Sequence, residues 1–174
     1  ECDWSSDVCS SDLHHIDHRW GGVMHGTQMS RMAAAWLIAL ACSGPAWAAV
    51  DGAALFAQHC AACHQNEGQG TVGLAPALKG AHWEKLGADR TYLPTVLLHG
   101  LSGPIVVNGE RHSSSMPAFG PALDNAALAG IANHLQTTIQ QRNDAPLTET
   151  EFQAVRESGG SPPKSREQRA KALK

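Results

Sequence analysis

Aromatic residues are scarce in this chain and badly placed for building a core. They make up 5% of its 174 residues, and four of the five tryptophans, Trp4, Trp20, Trp36 and Trp47, precede residue 48. After residue 50 the large aromatics are Phe56, Trp83, Tyr92, Phe119 and Phe152. Small domains bury proportionately little surface, so this supply leaves a core short of bulk. A large apolar group at the centre would make up the deficit. Long apolar runs are missing as well. The run at residues 33–42 is too short for a bilayer span, which needs roughly 20 residues. An excess of one charge is also absent. Residues 50–174 hold 11 Lys and Arg against 11 Asp and Glu, although Lys164, Arg166, Arg169, Lys171 and Lys174 crowd the last 13 residues against the single Glu167. The remainder is acidic by four, which excludes the basic folded face of a nucleic-acid binder.

The first fifty residues read as a leader. Arg31 precedes the apolar stretch 33–42, and Ser43-Gly44-Pro45 leads into Ala46-Trp47-Ala48. A positive start, a short apolar centre and an A-x-A end describe a secretory signal peptide over 24–49, starting at Met24, Met29 or Met32 and cut after Ala48 or Ala49. Ala39-Leu40-Ala41 before Cys42 is a poor match to a lipobox, so no lipid anchor is expected at Cys42. Residues 1–23 match no structural element, and the string from Cys2 to Leu13 resembles a translated sequencing-adapter fragment, so this stretch is expected to be disordered and artefactual. Setting the leader aside removes Cys2, Cys9 and Cys42 and leaves two cysteines, Cys60 and Cys63.

These two stand in Cys60-Ala61-Ala62-Cys63-His64. The spacing C-x-x-C-H is that of c-type haem attachment. Residues three and four apart share a helix face, so both thiols and the imidazole project to one side. Asp51 is a candidate N-cap for a helix leading up to the motif. A structural zinc site would need two more ligands. No further cysteine follows, and His59, His82, His99, His112 and His134 show no paired ligand spacing. A thioredoxin-like pair would need a βαβ context, and none is visible.

Haem iron often takes His and Met as axial ligands. Of the four methionines only Met116 lies beyond the leader, in the small-residue loop Ser113-Ser114-Ser115-Met116-Pro117, and it falls 52 residues after His64. A chain leaving one haem face could return over the other in that span. Pro117 stiffens the backbone beside it. His112 is the competing ligand, since histidine also serves in this position.

On these residues the chain resembles the class I, mono-haem c-type cytochromes of bacterial periplasms. The likeness rests on Cys60-Ala61-Ala62-Cys63-His64, Gly73-Leu74-Ala75-Pro76-Ala77-Leu78 and Met116-Pro117-Ala118-Phe119-Gly120, and covers roughly residues 50–142. The resemblance implies an all-α fold of three to five helices around one covalent haem c. It implies that Pro76 offers its carbonyl to the proximal imidazole of His64, fixing its tautomer, as groups behind metal ligands commonly do. It further implies a periplasmic electron carrier, not an enzyme, that shuttles single electrons between a dehydrogenase donor and an oxidase or reductase acceptor and docks as a monomer. The alternative is an obligate cytochrome c subunit of a respiratory dehydrogenase or oxidase complex. A haem enzyme or gas sensor with a labile sixth ligand is a third reading.

The remaining expectations are local. Gly68, Gly70 and Gly73 form a glycine loop, read as close backbone approach to the haem edge. Residues 92–99 should form a helix stopped by Gly100. The β-branched Ile105-Val106-Val107 followed by Asn108-Gly109 predicts a small hairpin just before the Met116 loop. Asp124 to Arg142 should form a helix packing on Leu55 and Phe56. Many relatives carry an aromatic residue on that last helix, where this chain has His134 or Leu135. Thr148 and Glu151 spell a capping box, so 143–157 should hold an extra helix. Residues 158–174 read as a disordered basic tail able to touch an anionic membrane surface.

Overall fold

The computed structural model describes residues 50–174. The expected signal peptide and the suspect segment before it lie outside the described residues. No helix among the described residues is long and apolar enough to cross a membrane.

Helix α1 (Gly52–His59) starts where the Asp51 carboxylate accepts from the Ala54 amide at 3.0 Å. It breaks at Cys60 and resumes as the single turn α2 (Ala61–His64), which ends at Gln65 with φ 63°. The break leaves both halves joined through Cys60, whose carbonyl accepts from Cys63 and His64 at 3.2 and 2.9 Å. Helix α3 (His82–Ala88) answers to no expectation from the sequence; it is short and carries a glycine, so its pattern is weak. Helix α4 (Tyr92–His99) buries Tyr92, Leu93 and Val96 to Leu98 and stops at Gly100, φ 75°. Strands β1 (Ile105–Val107) and β2 (Glu110–His112) pair antiparallel, Ile105 opposite His112. Asn108 and Gly109 both take positive φ, as a two-residue hairpin turn requires.

Helix α5 (Asn125–His134), capped by Asp124, does not run on as an α-helix to Arg142. Its end widens into a π-helical turn over Leu135–Ile139, where Gln140 donates to Leu135 at 2.9 Å, and Gln141 then takes φ 54°. The crossing of α1 and α5 is closer than packing on Leu55 and Phe56 would give. Gly52 meets Gly130 backbone to backbone: a Cβ on Gly52 would fall 2.0 Å from the Gly130 oxygen. Phe56 packs there against the His134 ring, centroids 5.4 Å apart, so His134 takes the aromatic place on the last helix. The all-α class with one small hairpin holds, with five helical pieces before residue 142.

Two further helices follow. Helix α6 (Glu149–Ser158) opens on the Thr148–Glu151 capping box and buries Phe152 and Val155. Arg156 fastens it by donating to Asn125, Gly120 and Leu123. Helix α7 (Pro162–Ala172) corrects the expectation of a disordered tail. Its start is built from Ser161 as N-cap followed by two prolines, a good helix entry that reads from composition alone as a loop. It docks on α4 and α3 by small and polar side chains. Ser165 is fully buried, and Gln168 donates to Asp89 and Thr91, both at 2.8 Å. No apolar stripe announces such a face. The free basic tail proposed for a membrane surface is therefore absent as such, with Arg169 buried and Lys171 paired to Glu167.

Candidate haem site

One cavity of about 1170 Å3, mouth included, takes its walls from α1 through the Met116 loop, from α5 with the π-helical turn after it, and from α7. Cys60, Cys63, His64, Pro76, Met116 and His112 all line it, so the fold brings together every residue singled out in the sequence. Cys60 is buried and Cys63 exposed, and both are free thiols. Burial, then the neighbouring Cys63, pushes the Cys60 thiol up to about 11.

His64 is 6% exposed, and its Nδ1 lies 2.9 Å from the Pro76 carbonyl oxygen. That oxygen can only accept, so Nδ1 carries the proton and Nε2 keeps a free lone pair. Burial holds the imidazole below the ordinary histidine range, the Pro76 bond opposes this, and His112 adds to it. The result is a neutral imidazole of fixed tautomer, which is what a metal requires.

The loop from Gln65 to Leu78 exists to place that carbonyl. Gly70 donates to the His64 carbonyl at 2.9 Å, and Thr71 and Ala75 exchange two backbone bonds of 2.9 Å each. The Thr71 hydroxyl donates to the Cys63 carbonyl at 2.9 Å and accepts from Gln65 at 2.9 Å. Gly70 is required twice over. Its φ is 79°, and a Cβ would stand 2.6 Å from the Ala75 oxygen and 2.7 Å from the Pro76 carbonyl carbon. The close approach at Gly70 is to the 75–77 backbone.

Met116 is held by its backbone. Met116 donates to Leu101 at 2.8 Å and accepts from it at 3.1 Å. Phe119 and Gly120 continue the contact, donating to Leu97 and Leu98 at 2.9 and 3.2 Å. The Ser114 hydroxyl reaches the Leu74 carbonyl, joining the methionine loop to the proline loop. Gly100 makes room, since a Cβ there would lie 2.6 Å from the Met116 oxygen. The side chain is half-buried against the core.

Sequence reasoning missed several lining residues, His82, Trp83, Tyr92 and Arg169 among them. Among the described residues four buried side-chain nitrogens lack a hydrogen-bond partner, and three of them, on His82, Trp83 and His112, belong to this cavity. Buried polar groups are normally satisfied, so these atoms point to a missing occupant. No group of three or more His, Cys, Asp or Glu able to hold a bare metal ion is present among the described residues, which removes the zinc reading there. Two thiols, one neutral imidazole and one thioether on an apolar cavity suit haem iron held in its macrocycle.

The family model described as Cytochrome c matches residues 49–138. A cytochrome c-552 of Thermus thermophilus is 43% identical over 96 residues, 54% of this chain and 64% of that protein. A second T. thermophilus cytochrome c-552 is 43% identical over 89 residues, 50% of this chain and 66% of the relative. The gluconate 2-dehydrogenase cytochrome c subunit of Pantoea cypripedii is 32% identical over 108 residues, 60% of this chain and 24% of that subunit. The match thus spans a little under two thirds of the cytochromes c-552 and a quarter of the dehydrogenase subunit. With half its length matched and a cavity of this donor chemistry, the chain belongs to the cytochrome c family, whose cofactor is a covalently attached haem c.

Proposed function

We propose that the protein carries single electrons on one haem, fixed through Cys60 and Cys63, with His64 and Met116 as axial ligands. The observation that carries this is the His64–Pro76 bond of 2.9 Å, which frees Nε2 on the cavity that Cys60, Cys63 and Met116 also line. The haem supplies the one-electron chemistry when bound. The chain's own residues fix its place and exclude water. The apolar lining from Phe56, Leu93, Leu97, Ile131 and Leu135 keeps solvent from the iron. The Pro76 carbonyl prevents ring rotation and raises the basicity of the imidazole. The Leu101 bridge fixes the methionine backbone, which would limit the change of geometry on electron transfer. With Met116 as a ligand no position would be left for peroxide or a gas, which supports a carrier. His112 is the weaker ligand candidate, because it sits within the hairpin ladder, opposite Ile105.

A periplasmic setting follows from the leader-like segment before residue 50. Partners are then redox proteins that dock weakly and briefly. A fixed subunit is the second reading, favoured by the likeness to dehydrogenase cytochrome c subunits. Size-exclusion chromatography of the native protein separates the two, since a subunit will not run as a free monomer. For the site, a denaturing gel stained for covalent haem should be positive for the wild type and blank for the Cys60→Ala, Cys63→Ala double variant. The weak long-wavelength charge-transfer band of methionine-ligated ferric haem should vanish in Met116→Ala and persist in His112→Ala. The opposite pattern would transfer the ligand role to His112.

A further inference from the structure

We propose that the π-helical turn after α5 braces the proximal ligand by setting Ile139 and Gln140 against the two ends of the loop that carries Pro76. Gln140 is then a positioning residue for His64, acting through Leu78 and Pro76. The proposal rests on the haem assignment above and reaches past the family match, which ends at residue 138.

The loop is pinched at its base, where Leu78 donates to the Gly68 carbonyl at 2.7 Å. That closure fixes the backbone just beyond Pro76, whose carbonyl meets His64. Both closing residues are touched by the π-helical turn. Gly68 is buried with φ 67°, and a Cβ on it would fall 2.5 Å from Ile139 Cγ2. Ile139 therefore fills the place that a side chain at 68 would need. Gln140 Nε2 donates to the Leu78 carbonyl at 3.2 Å. A neighbouring cation orients the amide. Its Oε1 accepts from Arg142 Nη1 at 3.3 Å, which leaves the NH2 end for the carbonyl. Arg142 is itself held by Asp144, and its backbone N–H donates to Gln136 at 2.9 Å.

An α-helical end would not make these contacts. At about 100° per residue, residue 140 of an α-helix stands about 140° round from residue 135. Here the Gln140 amide closes instead on the Leu135 carbonyl at 2.9 Å, an i→i+5 bond. Gln140 so comes round to the side of Leu135, which lines the cavity. The Thr137 hydroxyl helps to open the helix. It donates to the Asn133 carbonyl at 2.8 Å, a competing bond of the kind that bends helices. Turns of this width are rare and occur mostly at functional sites. Gln140 does not itself line the cavity, so its influence on the iron passes through the loop.

The test is proton NMR of the reduced, haem-loaded full chain, following solvent exchange of the His64 Nδ1 proton. The amide of Ala132, fully buried in α5, is the reference. Gln140→Met keeps the length of the side chain and removes the donor. The His64 proton should then exchange about tenfold faster, the factor that losing one hydrogen bond of ordinary strength allows. Ala132 should exchange as in wild type. Equal acceleration of both protons would mean general loosening of the fold, and no change in either would mean a plain helix end; each overturns the brace. Should Gln140→Met fail to accumulate, Gln140→Glu decides, because it keeps the shape and turns a bare acceptor toward the Leu78 carbonyl. Faster exchange at His64 alone supports the brace there too, and an unmoved His64 proton overturns it. A wild type that stains blank for covalent haem overturns the haem assignment and this proposal with it. A positive stain with an unmoved ring proton overturns the brace alone.

Discussion

At the scale of single residues, the groups lining the cavity divide by how far apart they lie in the chain. Cys60, Cys63 and His64 are legible because one helical turn fixes their relation. Met116 is legible by elimination, being the one methionine after residue 50. Arg169 was not legible as a cavity residue, since nothing in its neighbourhood separates it from the other cations of the last 13 residues. Trp83 and Tyr92 read as ordinary core aromatics, and only the tertiary arrangement turns them toward the same space. Gly70 carries a sharper prediction. Gly70→Ala combines a positive φ with a Cβ 2.6 Å from the Ala75 oxygen. It should cost about 1–3 kcal/mol in denaturant unfolding. It should also disturb the His64–Pro76 bond, read as a lowered reduction potential or a weakened axial field in the ferric spectrum. A glycine that served only as a flexible turn would change neither the spectrum nor the potential.

At the scale of elements, local signals located the helices that have sharp ends. Asp51, Asp124 and Thr148 each accept from an amide three residues on, as their side-chain type foretells. Signals failed where an element depends on its neighbours. The π-helical turn after His134 leaves the apolar spacing of α5 unchanged to the eye, and α7 docks by Ser165 and Gln168, whose chemistry alone suits a solvated tail equally well. The junction before α6 is fixed by charge. Arg90 grips Glu151 through two bonds of 2.6 and 2.9 Å and also holds the carbonyls of Ala145 and Pro146. The Arg90 guanidinium, with smaller help from the Thr148 amide and hydroxyl, holds the Glu151 carboxyl down to about 2. A carboxylate whose folded value is depressed contributes stability above its unfolded value of about 4.5, and loses it as pH falls through about 2. The pair is about one-third exposed on each side, so screening limits it to about 1 kcal/mol or less. Glu151→Gln keeps the capping-box geometry. It should be less stable than wild type at pH 7, and the gap in unfolding free energy should close near pH 2. A gap independent of pH would place the effect in packing.

At the scale of the whole molecule, four of the five large aromatics after residue 50, Phe56, Trp83, Tyr92 and Phe119, line the cavity. Leu86, Leu128 and Phe152 are fully buried in the core and do not line it. The frame closes through the crossing of α1 and α5, where Gly52→Ala would drive a Cβ to 2.0 Å from the Gly130 oxygen. That contact is backbone, so the helices must separate. The expected cost is about 3 kcal/mol or more, at the upper end of overpacking effects. Thermal unfolding of the haem-loaded variant measures it, and a melting temperature within a degree of wild type would show the crossing to be looser than drawn. The sequence offered the two faces but not the crossing, because Gly130 reads as a helix flaw until its partner is known. The order of groups along the chain has a further consequence. Synthesis runs from the N-terminus, so the thiols and imidazole at 60–64 exist long before Met116, and Arg169 comes 53 residues later still. The cavity therefore lacks its α7 wall until the last residues of the chain are in place.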